Sequence, residues 1–432
     1  MRKRRVNFIS LGCSKNLVDT ERLMKTFNNE GYDVAHESAP KSHDITVINT
    51  CGFIGDAKEE SINTILDYLE LKKKGKIDAV YVMGCLSQRY LSDLQKELPE
   101  VDGWSGKFDY AKIVENVTRK EGMTLPIERV QTTLPHYTYI KVAEGCNRFC
   151  AFCAIPLITG RFKSRSIEEI LQEVESFVAK GVKEFNVLAQ DLSSYGLDIY
   201  GKKSLAELID RMAQIRGVEM IRLHYAYPAD FPHDVLDVMA KHPNVCKYLD
   251  IALQHISDKV LENMRRHITG KETRELIAEI RRKVPGIHLR TTLMVGFPGE
   301  GEEEFAELLD FVRETRFERM GAFAYCEEDD TYAANHFKDD IPQEVKQARL
   351  DKLMKLQEEI SMDIQSEKVG RNVRVIIDRE DENYYVGRSE WDSPEVDPEV
   401  LVRKTKKLIP GKLYNVKILE ALPFELIAEI NE

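Results

Sequence analysis

The chain opens with three short runs rich in β-branched residues, 5–11, 45–49 and 79–83, separated by stretches of helical spacing. After the first run, Leu17, Leu23, Met24 and Phe27 keep roughly one face, and Gly31 is a natural stop. Alternation of strand and helix predicts a parallel sheet. Each run ends beside a glycine and a cysteine, in LGCSKN, NTCGF and MGCLS. In parallel sheets the loops leaving the strand C-termini form the ligand crevice, so Cys13, Cys51 and Cys85 are predicted to meet there. A single cysteine beside a tight glycine turn reads as a small buried residue. Three in the same place relative to three strands favour a shared site.

A second alternating stretch begins near Tyr137, with strands predicted at 139–143, 184–188, 220–223, 248–253, 287–295 and 320–325. Capping boxes are predicted at Ser166 with Glu169 and at Ser204 with Glu207, each ahead of an apolar stripe. Six such units fall short of the eight that close a TIM barrel. A partial barrel of six parallel strands is predicted, with an open side able to admit a large substrate. Pro342 introduces a charged amphipathic stretch, 343–367, read as a linking helix. Beyond Gly370, short runs at 372–377, 384–389, 400–402, 413–419 and 426–430 predict a small antiparallel β-barrel, OB-like in kind.

Length and charge bound the function. A chain of 432 residues allows about three domains. A formal net charge of −11 argues against a general nucleic-acid binder, although a local basic patch would not show in that sum. No apolar run reaches the roughly 18 residues of a membrane span. The basic start followed by Leu-Gly-Cys looks superficially like a lipoprotein signal, but Asn7 and Ser10 interrupt its short apolar stretch. It reads as a first strand. The expected location is therefore cytoplasmic and reducing, where clustered cysteines point to metal or catalysis rather than disulfides.

The tightest cluster is Cys146, Cys150 and Cys153 in CNRFCAFC, directly after the first predicted barrel strand. A structural zinc site wants a fourth ligand and paired C-x-x-C spacing. Three soft thiolates on one loop suit three irons of a cube, leaving the fourth iron for a non-protein ligand. Cys246 and Cys326 belong to neither trio and default to structural roles.

This motif, with aromatic Phe152 before its last cysteine, resembles the signature of the radical S-adenosylmethionine (SAM) superfamily. The resemblance implies that SAM chelates the open iron and is cleaved to a hydrogen-abstracting 5′-deoxyadenosyl radical. With a dispersed trio ahead and a small β-barrel behind, the whole chain resembles the methylthiotransferase family. Membership implies two 4Fe–4S clusters, the second on Cys13, Cys51 and Cys85, and a C-terminal TRAM domain. The expected division is 1–135, 136–365 with the linking helix, and 366–432. SAM would serve twice, as methyl donor and as radical source. Gln190, Asp191, Gln254 and His255 follow barrel strands and are candidates for SAM or substrate contact, though a polar residue there could equally satisfy a loop backbone. The resemblance implies that Phe152 stacks near the adenine and that SAM lies near Gly296, a position that also reads as a tight turn. No side-chain acid or base is required.

Within that family YLDIALQHISDKVLENMRR, LMVGFPGE and GRSEWDSPEVDPEV are similar to the branch that modifies an aspartate Cβ of small-subunit ribosomal protein S-twelve. The tRNA-modifying branch usually shows QSGS where Gln254–Ser257 stands. Ala252, Gly301, Cys326 and 329–331 depart from usual family residues. From 366 to 432 there are 14 acidic against 11 basic residues, which suits a basic protein partner better than tRNA. The basic run Arg403, Lys404, Lys406 and Lys407 opposes that reading, though such runs are more often solvated faces. The expected partners are the ribosomal protein, free or assembled, with an electron donor and a sulfur source. A tRNA adenosine methylthiotransferase and a non-enzymatic iron–sulfur scaffold are the alternatives.

Overall fold

The computed structural model of the chain describes residues 4–123 and 125–431. Its first sheet is parallel and five-stranded: β1 (Arg5–Ser10), β2 (Asp33–His36), β3 (Ile45–Thr50), β4 (Ala79–Gly84) and β5 (Gly103–Trp104), in the order β2-β1-β3-β4-β5. The three predicted runs end within a residue of β1, β3 and β4. The edge strands β2 and β5 carry no readable run, being short and only half-buried. Strand order reverses between β1 and β3, the point at which such sheets open a crevice at their C-terminal edge. Helices α1 (Ser14–Asn29), α2 (Gly55–Lys73) and α3 (Cys85–Glu97) leave that edge. Helix α1 stops just before Gly31, whose φ of 86° no helix continues.

The second sheet starts with β6 (Tyr137–Lys141). The chain then forms a clasp in which β7 (Ala143–Glu144) pairs antiparallel with β8 (Lys163–Ser164). The predicted strand 139–143 therefore straddles two elements. The rest follows as β9 (Glu184–Leu188), β10 (Met220–Ala226), β11 (Val245–Ile251), β12 (His288–Val295) and β13 (Arg319–Ala324). All pair in parallel in the order β13-β12-β11-β10-β9-β6, an open six-stranded arc. Alternation along each strand sorts its two faces. Ile140, Phe185, Val187, Leu223, Leu249 and Leu289 face the helices in the main apolar core. Lys141, Glu184, Asn186, Arg222, His224 and Asp250 alternate with them and are buried on the other side. That inner face is not left open: Leu17 and Val18 of α1 pack on Tyr137, Tyr139, Leu188 and Tyr225. The open side expected for a large substrate is narrowed accordingly.

The capping box at Ser166 and Glu169 is present. The one expected at Ser204 is not, because that hydroxyl donates to Lys202 O at 3.2 Å instead of taking the helix N–H. An unforeseen box, Thr269 with Glu272, caps Gly270–Lys283. The linking helix, Gln343–Ser366, buries Leu353 and Ile360 in the main core.

The C-terminal strands β14 (Asn372–Glu380), β15 (Tyr384–Ser389), β16 (Glu399–Arg403), β17 (Leu413–Ala421) and β18 (Glu425–Ile430) close into a barrel in the order β14-β15-β16-β18-β17. Its pairings are antiparallel except β16 with β18. An odd number of strands cannot alternate direction all round a closed ring, so one parallel pair is forced.

This barrel plugs the N-terminal end of the central strands. Arg388 and Arg222 both reach Glu184, and Arg388 also holds Asp378, which pairs with His136 at 2.7 Å. Arg319 meets Asp392 and Arg290 meets Asp397, each at 2.6 Å. Tyr137 and Tyr139 donate to Glu395 at 2.9 and 3.1 Å, and Trp391 stacks on His288 with centroids 4.5 Å apart. The acidic excess of residues 366–432 is thus largely spent inside the molecule, and it does not mark a surface for a basic partner. The basic run is also engaged: Arg403 pairs with Glu420 and Lys404 with Glu380. Cavities of ≈ 330 Å³ beside Glu395 and ≈ 460 Å³ beside His288 lie at this junction, at the opposite end of the strands from the cysteines.

Burial opposes ionisation of Glu184, but Arg388 and Arg222 override it and hold its pKa near 2 instead of 4.5. A carboxylate depressed in the folded state contributes stability above its unfolded pKa and loses it as pH falls towards the folded one. The urea midpoint of the wild-type protein should therefore fall steeply between pH 4.5 and pH 2. Glu184→Gln should be less stable by about 3–5 kcal/mol at pH 7, with two buried arginines left short of a partner, and flatter across that acid window.

Candidate active site

The three loops leaving β1, β3 and β4 meet as predicted. Asn16 ties them, its amide donating to Leu11 O at 3.1 Å and Thr50 O at 3.2 Å. Thr50 Oγ1 donates to Met83 O at 2.6 Å. Glycine is required beside these cysteines. A Cβ on Gly12 would stand 3.0 Å from Cys51 Sγ, and one on Gly84 would stand 2.4 Å from Asn49 Oδ1. Cys85 Sγ points at Asn16 Oδ1, 3.6 Å away. Burial pushes the Cys85 thiol up to about 12, with Cys13 and Cys51 adding to the rise. Burial likewise raises Cys51. At Cys13 the surrounding protein opposes ionisation, but Lys15, the Asn16 N–H and Lys107 bring the thiol below its usual range.

The tight trio sits in the loop closed by the β7–β8 clasp. Cys146 N donates to Gly160 O at 3.2 Å, Cys153 N to Cys150 O at 3.0 Å, and Ala151 N to Met264 O at 2.9 Å. Cys150 lies against one cation and one hydroxyl. Arg266 Nη1 is 3.1 Å from its sulfur, and the Tyr227 hydroxyl is 3.7 Å away. Arg148 and Arg266 both stack on the Tyr227 ring, 4.3 and 4.2 Å from its centroid, and Arg148 is anchored by Asp191 at 2.7 Å. Burial pushes the Cys146 thiol up to about 12, and burial together with its two neighbours raises Cys153.

Among the described residues no three His, Cys, Asp or Glu side chains close on one ion, so neither trio is a ready-made single-metal site. The donor sets fit a cluster: Cys13 and Cys51 lie close enough to raise Cys85, Cys146 and Cys150 close enough to raise Cys153, and such thiols give up their protons when soft metal arrives.

The trios face each other. Cys85 packs on Ala154 and Ile158, immediately beyond Cys153. Around that contact Arg89 of α3 bridges to Glu328 at 2.8 Å and to Gly52 O at 3.3 Å, and Lys58 of α2 reaches Glu328 at 2.9 Å. Tyr90 donates to Asp329 at 3.0 Å. A second bridge runs through Asp19, which accepts from Lys107 and Tyr110 at 3.1 Å each and pairs with Lys141 of β6.

The candidate SAM contacts divide. Gln254 has φ of 73°, links β11 to β12 through its backbone, and leaves Oε1 buried without a partner. An orphaned acceptor on a strained residue at a strand end fits a ligand-facing role. Phe152 meets Phe297 edge-on, with centroids 6.2 Å apart, in a pocket where the Tyr325 hydroxyl is also unpartnered. Gln190 is half-buried beside Asp191. Gly296 has a packing explanation, since a Cβ there would lie 2.4 Å from Lys346 Cγ. His255 is turned away, held between the Ser257 N–H at 3.1 Å and Glu300 at 3.2 Å. Arg148, Tyr227, Arg266 and Tyr325 were not foreseen. Tyr227 and Tyr325 each follow a barrel strand, a signal that could have found them; Arg266 follows a short helix and gave none.

Comparison with known proteins agrees with this geometry. The Radical SAM superfamily model matches residues 140–312, a family described as Uncharacterized protein family UPF0004 matches 5–106, and the TRAM domain matches 369–430. A protein of Parabacteroides distasonis named ribosomal protein uS12 methylthiotransferase RimO is 57% identical over 430 residues, covering 100% of both chains. Proteins of the same name from Porphyromonas gingivalis and Christiangramia forsetii are 55% and 49% identical, covering 100% and 99% of this chain and 100% and 95% of their own. The chain belongs to the RimO family of methylthiotransferases. As a RimO-family radical SAM enzyme it uses SAM and two 4Fe–4S clusters. The fold is shared with the radical SAM methyltransferase TsrM of Kitasatospora setae, solved with cobalamin and a 4Fe–4S cluster, at a TM-score of 0.57 and 15% identity over 77% of this chain and 74% of that one.

Two clusters amount to about eight irons per chain. Cys13→Ala with Cys51→Ala should roughly halve the iron measured after reconstitution, and an unchanged count would make the dispersed trio structural. Gln254→Met keeps side-chain length without the amide. It should weaken SAM binding by about tenfold, the loss of one hydrogen bond, at unchanged iron content.

Proposed function

We propose that this chain inserts a methylthio group at the Cβ of an aspartate in ribosomal protein uS12, with SAM as methyl donor and radical source. The observation that carries this reading is the full-length identity to uS12 methylthiotransferases, joined to a contact of Cys85 with the residues just beyond Cys153. Residues 13, 51 and 85 would hold the sulfur-delivering cluster and residues 146, 150 and 153 the SAM-binding one. When bound, the clusters and SAM supply a hydrogen-abstracting radical and a methylated sulfur. The protein's own part is placement. Asn16 and the glycines draw three strand ends together. Arg266 puts positive charge against Cys150 and Arg148 puts it near Cys146, where anionic sulfur needs it. Gln254 and Phe152 border the SAM position.

The division 1–135, 136–365 and 366–432 then assigns sulfur delivery, radical generation and closure of the barrel end to separate units. A one-electron reductant and a sulfur source complete the partner set, and a reducing cytoplasmic setting would preserve the free cysteines. No described helix is long and apolar enough to cross a membrane.

Mass spectrometry of uS12 incubated with reduced, reconstituted enzyme and SAM should show the mass of one methylthio group on an aspartate. A tRNA arm belongs in the same experiment. Modification of tRNA adenosine with uS12 untouched would transfer the assignment to the tRNA branch, and neither product nor 5′-deoxyadenosine would point to a scaffold.

A further inference from the structure

Lys15 is the second residue after Cys13 and only 5% exposed, yet no described carboxylate pairs with it. Its ammonium rests on the Tyr225 ring, 3.4 Å from the centroid. The other cations nearby are committed: Lys107 and Lys141 to Asp19, Arg148 to Asp191, and Arg266 to Cys150 and the Ala252 carbonyl. Tyr225 is held at φ of 67°, off the regular strand path, and comes just before Tyr227 at Cys150. Lys15 is therefore a buried charge between the two trios, attached to the loop of one and stacked on the strand end that serves the other.

Lys15 draws the Cys13 thiol below its usual range, but beyond that sulfur it has only a ring face for company, and a buried ammonium so placed favours a further anion. We propose that Lys15 is the substrate-recognition residue and receives the side-chain carboxylate of the target aspartate, an inference that rests on the uS12 reading above. The reacting carbon is bonded directly to that carboxylate. Fixing the carboxylate at Lys15 therefore places the Cβ hydrogens between the trios, and an asparagine in the same position would lack the charge.

The test is binding of two peptides of the uS12 target loop, one with the aspartate and one with asparagine in its place, to reconstituted enzyme of measured iron content. Wild type should favour the aspartate peptide by roughly tenfold or more, as a desolvated charge pair does. Lys15→Met should bring the ratio close to one, and Lys15→Arg should restore most of it. Equal binding of both peptides by wild type overturns the inference without any variant. So does a Lys15→Met protein that still discriminates as wild type does, including one that has lost iron and shown Lys15 to serve the cluster. The same carboxylate chemistry could come from SAM, so SAM affinity is measured in parallel. A loss of SAM affinity with peptide discrimination intact overturns the assignment to substrate. If mass spectrometry finds uS12 unmodified by wild type, the functional reading fails with it; modification without discrimination overturns this inference alone.

Discussion

In the proposed reaction two sets of thiols serve one carbon, so the separation between them is the quantity the rest of the structure defends. One small contact sets it, Cys85 against Ala154 and Ile158. A side-chain contact between short residues tolerates little movement, because there is no long stem to take up slack. The buried bridges on either side make it rigid. Arg89 and Lys58 lock Glu328 on one flank, and Asp19 joins Lys107, Tyr110 and Lys141 on the other. Burial would raise Asp19, yet the two lysines bring it to about 2, so at neutral pH this carboxylate is ionised.

The same economy of charge runs down the inside of the sheet arc. Its inner face is polar, and polar burial is costly unless each group finds a partner. The partners come from elsewhere in the chain: α1 supplies them near the cysteines, and the C-terminal barrel supplies them at the far end through Asp378, Asp392, Glu395 and Asp397. That arrangement changes how the acidic tail is understood. Its carboxylates answer Arg388, Arg319, Arg290 and the Tyr137 and Tyr139 hydroxyls, so its charge balance says little about what the enzyme modifies. The uS12 assignment stands on full-length kinship instead.

Both the success and the failure of sequence reading follow from range. Strands such as Glu184–Leu188 were legible because local pattern and the flanking turn coincide. The cysteine trios were legible because spacing relative to strand ends is itself local. Edge strand Asp33–His36 was not, having too few residues to show a period. Ser204 misled because a hydroxyl beside a glutamate three residues on can turn to a nearer carbonyl. The Arg89–Glu328 latch spans 239 residues and Arg222 to Ser389 spans 167, so nothing in either neighbourhood announces them. Lys15 was overlooked inside a motif read only for its cysteine.

The departures from family pattern gain meaning at the same places. Ala252 stands where proline is usual, and its carbonyl accepts from Arg266, whose other arm reaches Cys150. A proline keeps its carbonyl and gives up only its N–H. Exchanging it for alanine therefore leaves the acceptor that aims Arg266 intact, and the freed N–H is taken by Ala226 O at 3.1 Å. The altered stretch 329–331 lies on the latch itself, where Asp329 accepts from Tyr90 and its carbonyl from Arg89. A change in that loop is tolerable only alongside partners on α3 that can meet it. Both departures therefore lie beside the joint between the two trios, and the hydrogen bonds there are made by the residues this chain carries.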